Sequence, residues 1–147
     1  SDYISNGKFE PKASVATIAN AMDVGNPSNF ERLSHLYNTL DSFKANVTAF
    51  SVNDEQIRQI IKEVNQQFNY VVCPHTATGY FARKELSAAP WIIAATADPC
   101  KFETIIEPIT GTTLPVAEQL QAILAKPAQV VEVPADINAV QQAFASK

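Results

Sequence analysis

The most apolar run of the chain, Trp91-Ile92-Ile93-Ala94-Ala95-Thr96, ends on a hydroxyl. A continuous apolar stretch this short predicts a strand buried on both faces of a parallel sheet. In such sheets ligands bind where strands end and helices begin, because free backbone N–H groups gather there. Thr96 then stands at a strand exit, able to donate one hydrogen bond into a cleft or to bond its own turn. A second junction is Cys73-Pro74-His75-Thr76, predicted to open a helix. A helix start favours anions and disfavours the imidazolium form of His75, although a structural hydrogen bond is the plainer use of that ring. A third polar segment, Asn20-Ala21-Met22-Asp23-Val24-Gly25-Asn26, leads into the first long helix and offers Asp23 and Asn26.

Other chemistries are disfavoured by type and spacing. Cys73, His75, Asp98 and Cys100 are all metal-ligand types, but Cys-x-His and Asp-x-Cys lack the usual separation of zinc ligands. Asp98 followed by Pro99 is instead a helix cap with proline in the first turn. No Walker A loop, Gly-x-Ser-x-Gly elbow or His-Glu-x-x-His motif occurs, and four glycines leave no Gly-rich phosphate cradle. No metal is therefore expected. With 11 basic against 15 acidic residues and no basic run, nucleic acid is not an expected partner. No apolar window reaches membrane-spanning length, so no membrane role is expected. Two cysteines are too few for a disulfide framework, and the expected compartment is the cytoplasm.

The elements that would position these residues alternate between helix and short apolar run. Asn26-Pro27 predicts a helix over about 27–43, with Phe30, Leu33, Leu36, Tyr37 and Leu40 on one face. Residues 1–26 read as strand or loop. Asn53 and Gln56 form a capping-box pattern ahead of Ile57, Ile60, Ile61, Val64 and Phe68, the strongest amphipathic signal present. A third helix follows Cys73 through Ala77, Tyr80, Phe81 and Leu86, and a fourth follows Asp98 through Phe102, Ile105, Ile106 and Ile109 to Gly111. Pro115 to Leu124 and Ala135 to Phe144 predict two more helices around the β-prone Gln129–Val133. The expected class is α/β, with helices packed on a few short, mostly parallel strands. We divide it into a segment over about 1–26, a core over 27–110 and a peripheral tail over 111–147. Few strands are visible for so many helices, and Met22 is the only methionine, so a processed or truncated chain is the expectation.

Three segments taken together are similar to one family: Ala16 through Leu33, Pro74-His75-Thr76-Ala77-Thr78-Gly79-Tyr80, and Thr96-Ala97-Asp98-Pro99-Cys100-Lys101-Phe102. In order and spacing they resemble the C-terminal part of threonine synthase. The resemblance implies the tryptophan-synthase-β-like fold and the cofactor pyridoxal 5'-phosphate. It implies conversion of O-phospho-L-homoserine and water to L-threonine and phosphate by elimination and replacement. It places the Schiff-base lysine and the phosphate loop in an N-terminal part of the same polypeptide, and neither motif occurs here, so no catalytic residue is assigned in this chain. Thr96 matches the family hydroxyl that meets the pyridine nitrogen of the cofactor, while Asp23, Asn26 and His75 resemble positions lining the substrate cleft. The sequence departs from the family at Asp98, usually histidine, at Cys100, usually small and apolar, and at Cys73, usually acidic. The alternative reading is a non-catalytic α/β binding or regulatory domain derived from the same fold.

Overall fold

The computed structural model describes residues 2–116 and 118–145. These belong to two compact units, Ser1–Leu114 and Pro115–Lys147. In the first unit the helices are α1 (Asp2–Asn6), α2 (Phe30–Leu36), α3 (Leu40–Asn46), α4 (Asp54–Phe68), α5 (Pro74–Leu86) and α6 (Glu103–Thr110), with 3-10 turns at Asn20–Met22 and Pro99–Phe102.

α4 organises the core. Its start is closed by the predicted capping box: Asn53 Oδ1 accepts the Gln56 N–H and Gln56 Oε1 accepts the Asn53 N–H, both at 2.9 Å. Asn69 ends it in the left-handed region at φ 49°. The face carrying Ile57, Ile60, Ile61 and Val64 is buried, and α4 packs against both α5 and α6. Pro74 and Ala77 of α5 and Ile106 of α6 are the fully buried residues those helices contribute. Burial of one apolar stripe against two neighbours, rather than intrinsic propensity, holds a helix of this length. Asn53→Ala removes one half of the reciprocal cap and is expected to lower stability by about 1 kcal/mol, measured by urea unfolding.

The expected helix over 27–43 is two helices. Tyr37 turns extended at the end of α2, and Thr39 starts α3 afresh by accepting the Ser42 N–H at 3.1 Å. A threonine hydroxyl that satisfies an orphan N–H makes a new helix start cheaper than continuing the old one. The first residues are also not wholly strand or loop, because α1 forms there. Tyr3 of α1 sets its ring edge-on to Phe30 and Phe43, at centroid distances of 4.8 and 5.1 Å, and Phe9 stacks on Phe30 at 4.0 Å. Aromatic contacts across distant sequence thus override a weak local pattern.

The larger departure concerns the sheet. Among the described residues there is no strand. The run 91–96, expected to be a central buried strand, has no regular secondary structure, and the backbone of 91–95 makes no hydrogen bond among the described residues. Trp91 is half exposed and Ile92 fully so. The β-prone pieces 48–52 and 129–133 are likewise without ladder partners. A strand is a paired object, and apolar β-branched sequence without a neighbouring strand cannot form one.

The second unit contains α7 (Glu118–Leu124) and α8 (Ile137–Ala145), close to the predicted spans. Asp136 caps α8 by accepting the Ala139 N–H at 3.0 Å. Val131, Val133, Val140 and Phe144 line a small apolar hollow in it. Among the described residues no helix is long and apolar enough to cross a membrane.

Candidate functional site

The run 91–96 lies back along the first half of α5. Ile93 packs where Gly79 has no side chain: a β-carbon there would come to 3.1 Å from the Ile93 Cγ2. One helical turn earlier, Thr76 Oγ1 accepts the Thr96 N–H at 3.4 Å. Residues 93 and 96 thus meet 79 and 76, so the run and the helix are antiparallel. The side of the run turned away from α5 is bare.

The N-terminus of α5 is built around a buried thiol. Cys73 is 1% exposed and caps the helix, its Sγ accepting the Thr76 N–H at 3.4 Å. Sulfur is a weak acceptor for this task, where serine, threonine or aspartate is usual. The same Sγ lies 3.2 Å from Thr76 Oγ1 and 4.0 Å from Thr96 Oγ1. Thr76 is 7% exposed, whereas Thr96 is exposed. Thr96 therefore lies beside the start of α5 at the end of an irregular apolar run, not at the exit of the buried strand expected for it.

His75 is buried, at 6% exposure, with its ring 5.0 Å from that of Phe102. Its Nε2 accepts the Ala21 N–H at 3.0 Å. A nitrogen that accepts carries no proton, which puts the ring proton on Nδ1, a buried atom with no partner among the described residues. His75 thus pins the 3-10 turn to the start of α5. Asp23 is folded into its own loop: Oδ2 accepts the Thr17 N–H and Oδ1 the Thr17 hydroxyl, each at 2.7 Å. Together with Thr17, Met22, Thr78 and Gly79, Asp23 lines an open groove of about 440 Å³. Asn26 is exposed and makes no hydrogen bond among the described residues. The sequence-predicted residues therefore fall into two groups: Thr96 on the thiol-capped helix start, and the loop of Asp23, tied to that same helix through His75.

Three contributors had been missed. Thr76 links α5 to the run, and its signal was its place three residues after the cap. Asp54 Oδ1 accepts the Ile18 N–H at 3.1 Å, fixing the loop to α4, and nothing local in the sequence marks it. Gly25 lets two backbones meet: a β-carbon there would fall 1.7 Å from the Lys12 carbonyl oxygen, and Lys12 N–H donates to the Gly25 carbonyl at 3.0 Å. No other residue type fits such an approach without displacing the backbone.

Just beyond Thr96, Asp98 caps the 3-10 turn by accepting the Cys100 N–H at 2.9 Å. That bond, followed by one from the Cys100 thiol, holds the Asp98 carboxyl below its ordinary value, and the carboxylate in return pushes the Cys100 thiol up. The lowered carboxyl adds stability above its unfolded value that is lost as pH falls. The raised thiol adds stability below its unfolded value that is lost as pH rises through the folded one. Asp98→Asn keeps an acceptor but removes the charge. The Cys100 titration, followed by the NMR shift of its Cβ, is expected to move down toward the ordinary thiol range.

A family model described as threonine synthase, C-terminal, matches residues 75–144. Threonine synthase of Escherichia coli is 31% identical over 142 residues, which is 95% of this chain and 33% of that protein. Threonine synthase of Haemophilus influenzae is 32% identical over 120 residues, covering 80% of this chain and 28% of that protein. The crystal structure of the Escherichia coli enzyme superposes with a TM-score of 0.83 at 30% identity, over 99% of this chain and 34% of that one. A structure of threonine synthase from Brucella melitensis with PLP bound shares the fold at a TM-score of 0.76 and 19% identity, over 97% of this chain and 37% of that one. The chain thus spans about a third of the length of the relatives it matches. On these matches, what the chain resembles along nearly its whole length is the C-terminal part of the threonine synthase family.

Proposed function

We propose that this chain is the C-terminal portion of a cytoplasmic threonine synthase, supplying Thr96 and part of the active-site wall to an enzyme whose remaining machinery lies in an N-terminal part of the same polypeptide. The activity of the whole enzyme is conversion of O-phospho-L-homoserine and water to L-threonine and phosphate, with loss of phosphate making it a carbon–oxygen lyase. The single observation that carries this reading is Thr96: a hydroxyl exposed at the end of an apolar run whose outer side is bare.

Pyridoxal 5'-phosphate is the cofactor the family implies, and Thr96 fits one edge of it. A pyridine nitrogen is an acceptor when unprotonated, and a neutral hydroxyl can donate to it without forcing a proton onto it, as a carboxylate would. When bound, the cofactor supplies an electron sink, which a neutral partner at the ring nitrogen leaves moderate in strength. The chain's own residues hold that partner in place. Thr76 fixes the Thr96 backbone, Cys73 closes the start of α5, and His75 keeps the loop of Asp23 against the same helix. His75 does this from a buried position, so its contribution to the wall is to orient the loop, while Asp23 lines the groove. Asn26, exposed and unpaired among the described residues, is left free to face substrate. With its lysine and phosphate loop elsewhere, the isolated chain is inactive.

The test is to incubate the isolated chain with pyridoxal phosphate and O-phospho-L-homoserine. No turnover is expected, and no cofactor absorbance change that saturates; saturable binding with phosphate release would overturn the assignment of the chemistry to a missing part.

A further inference from the structure

We propose that Cys73 and Thr76 are positioning residues that fix the direction of the Thr96 hydroxyl proton, so that it is donated outward to a neutral aromatic ring nitrogen; this rests on the reading of Thr96 given above. Three residues form a closed set: the Thr96 backbone N–H meets Thr76 Oγ1 at 3.4 Å, Thr76 Oγ1 meets Cys73 Sγ at 3.2 Å, and Cys73 Sγ meets Thr96 Oγ1 at 4.0 Å. The two contacts to sulfur can each run in either direction, and burial decides between them. Thr76 is 7% exposed, and among the described residues its hydroxyl proton has one acceptor, the Cys73 sulfur. Were the thiol to donate to Thr76 instead, the Thr76 proton would be buried without a partner, which costs more than a weak thiol bond returns.

With Thr76 donating to Cys73, the thiol proton is directed at Thr96 Oγ1, and the oxygen of Thr96 accepts it. The Thr96 hydroxyl proton then has no acceptor among the described residues. Since Thr96 alone of the three faces outward, that proton points away from α5 and into whatever covers the bare side of the run. A hydroxyl so oriented is a donor, matched to an unprotonated ring nitrogen and mismatched to a protonated one. The buried thiol thereby acquires a use that capping by the commoner serine or aspartate does not require.

The test uses the full-length protein loaded with pyridoxal phosphate labelled at its ring nitrogen, in Thr96→Val, Thr76→Val, Thr76→Ser and Cys73→Ala forms. It reads the NMR signal of that nitrogen and the hydrogen exchange of the Thr96 amide, with the Ile61 amide as a control for folding. Thr96→Val is expected to move the nitrogen signal by the full amount. Thr76→Val and Cys73→Ala move it part of the way in the same direction, and Thr76→Val also speeds exchange at Thr96 by about fivefold. Thr76→Ser restores both readings, which a loss of packing alone would not bring about. If Thr96→Val moves the signal and neither Thr76→Val nor Cys73→Ala does, or if Thr76→Ser fails to restore it, the relay is wrong and the Thr96 contact stands. If Thr96→Val leaves the signal in place, the Thr96 contact is wrong and the relay falls with it.

Discussion

Ile61→Ala is expected to destabilise the first unit by roughly 2–5 kcal/mol, enough to leave much of it unfolded under mild conditions. Ile61 has no exposed surface and sits on the α4 face shared with Ile57, Ile60 and Val64, between α5 and α6. Cutting it to alanine removes three carbons from a closely packed seam, so lost transfer energy and an unfilled cavity add together. The consequence reaches the site, because α5, which starts at the Cys73 cap and carries His75 and Thr76, packs on α4. Urea unfolding followed by circular dichroism checks it, with the midpoint falling steeply relative to the parent chain. Arg58→Ala, on the exposed face of the same helix, is expected to change stability by less than about 0.5 kcal/mol. Equal losses at both positions would mean that α4 is not the organising helix.

Much of the helical framework was legible because its signals are local. Asn53 and Gln56 mark the start of α4, Cys73-Pro74 that of α5, and Asp98-Pro99 the 3-10 turn leading to α6, since a cap satisfies orphan N–H groups within three residues. Thr39 is equally local and was overlooked, because the apolar spacing of Leu36 and Leu40 continues across the break between α2 and α3. The strands were not legible as such. The run at 91–96 has the composition of a central strand, but composition specifies only an appetite for pairing, and pairing needs a second strand. Within the site, Thr96 was read from its position after the apolar run, whereas the thiol and hydroxyl that hold it were read only as part of the junction Cys73-Pro74-His75-Thr76, with Cys73 also weighed as a metal ligand. Asp23 and Asn26 were grouped by sequence proximity, yet one is bonded at both oxygens and the other at none. Sequence distance does not report which loop atoms a fold ties down.

The exposed side of the run 91–96 is the surface that decides the role of Thr96. A segment containing a fully exposed isoleucine leaves apolar surface in water, its five residues 91–95 have no backbone hydrogen bond among the described residues, and its composition is that expected inside a parallel sheet. In the full-length protein, pairing on that side would bury Trp91 and Ile92, complete the ladder and bring Thr96 to face the cofactor. Amide hydrogen exchange at residues 92–95, compared between the isolated chain and the full-length protein, measures this directly. The expected result is slowing by a hundredfold or more in the longer protein, on the order of the several kcal/mol needed to open a central strand locally. Exchange equally fast in both would contradict the account, because the run would then be an exposed loop in its own right and Thr96 would have no sheet to present it.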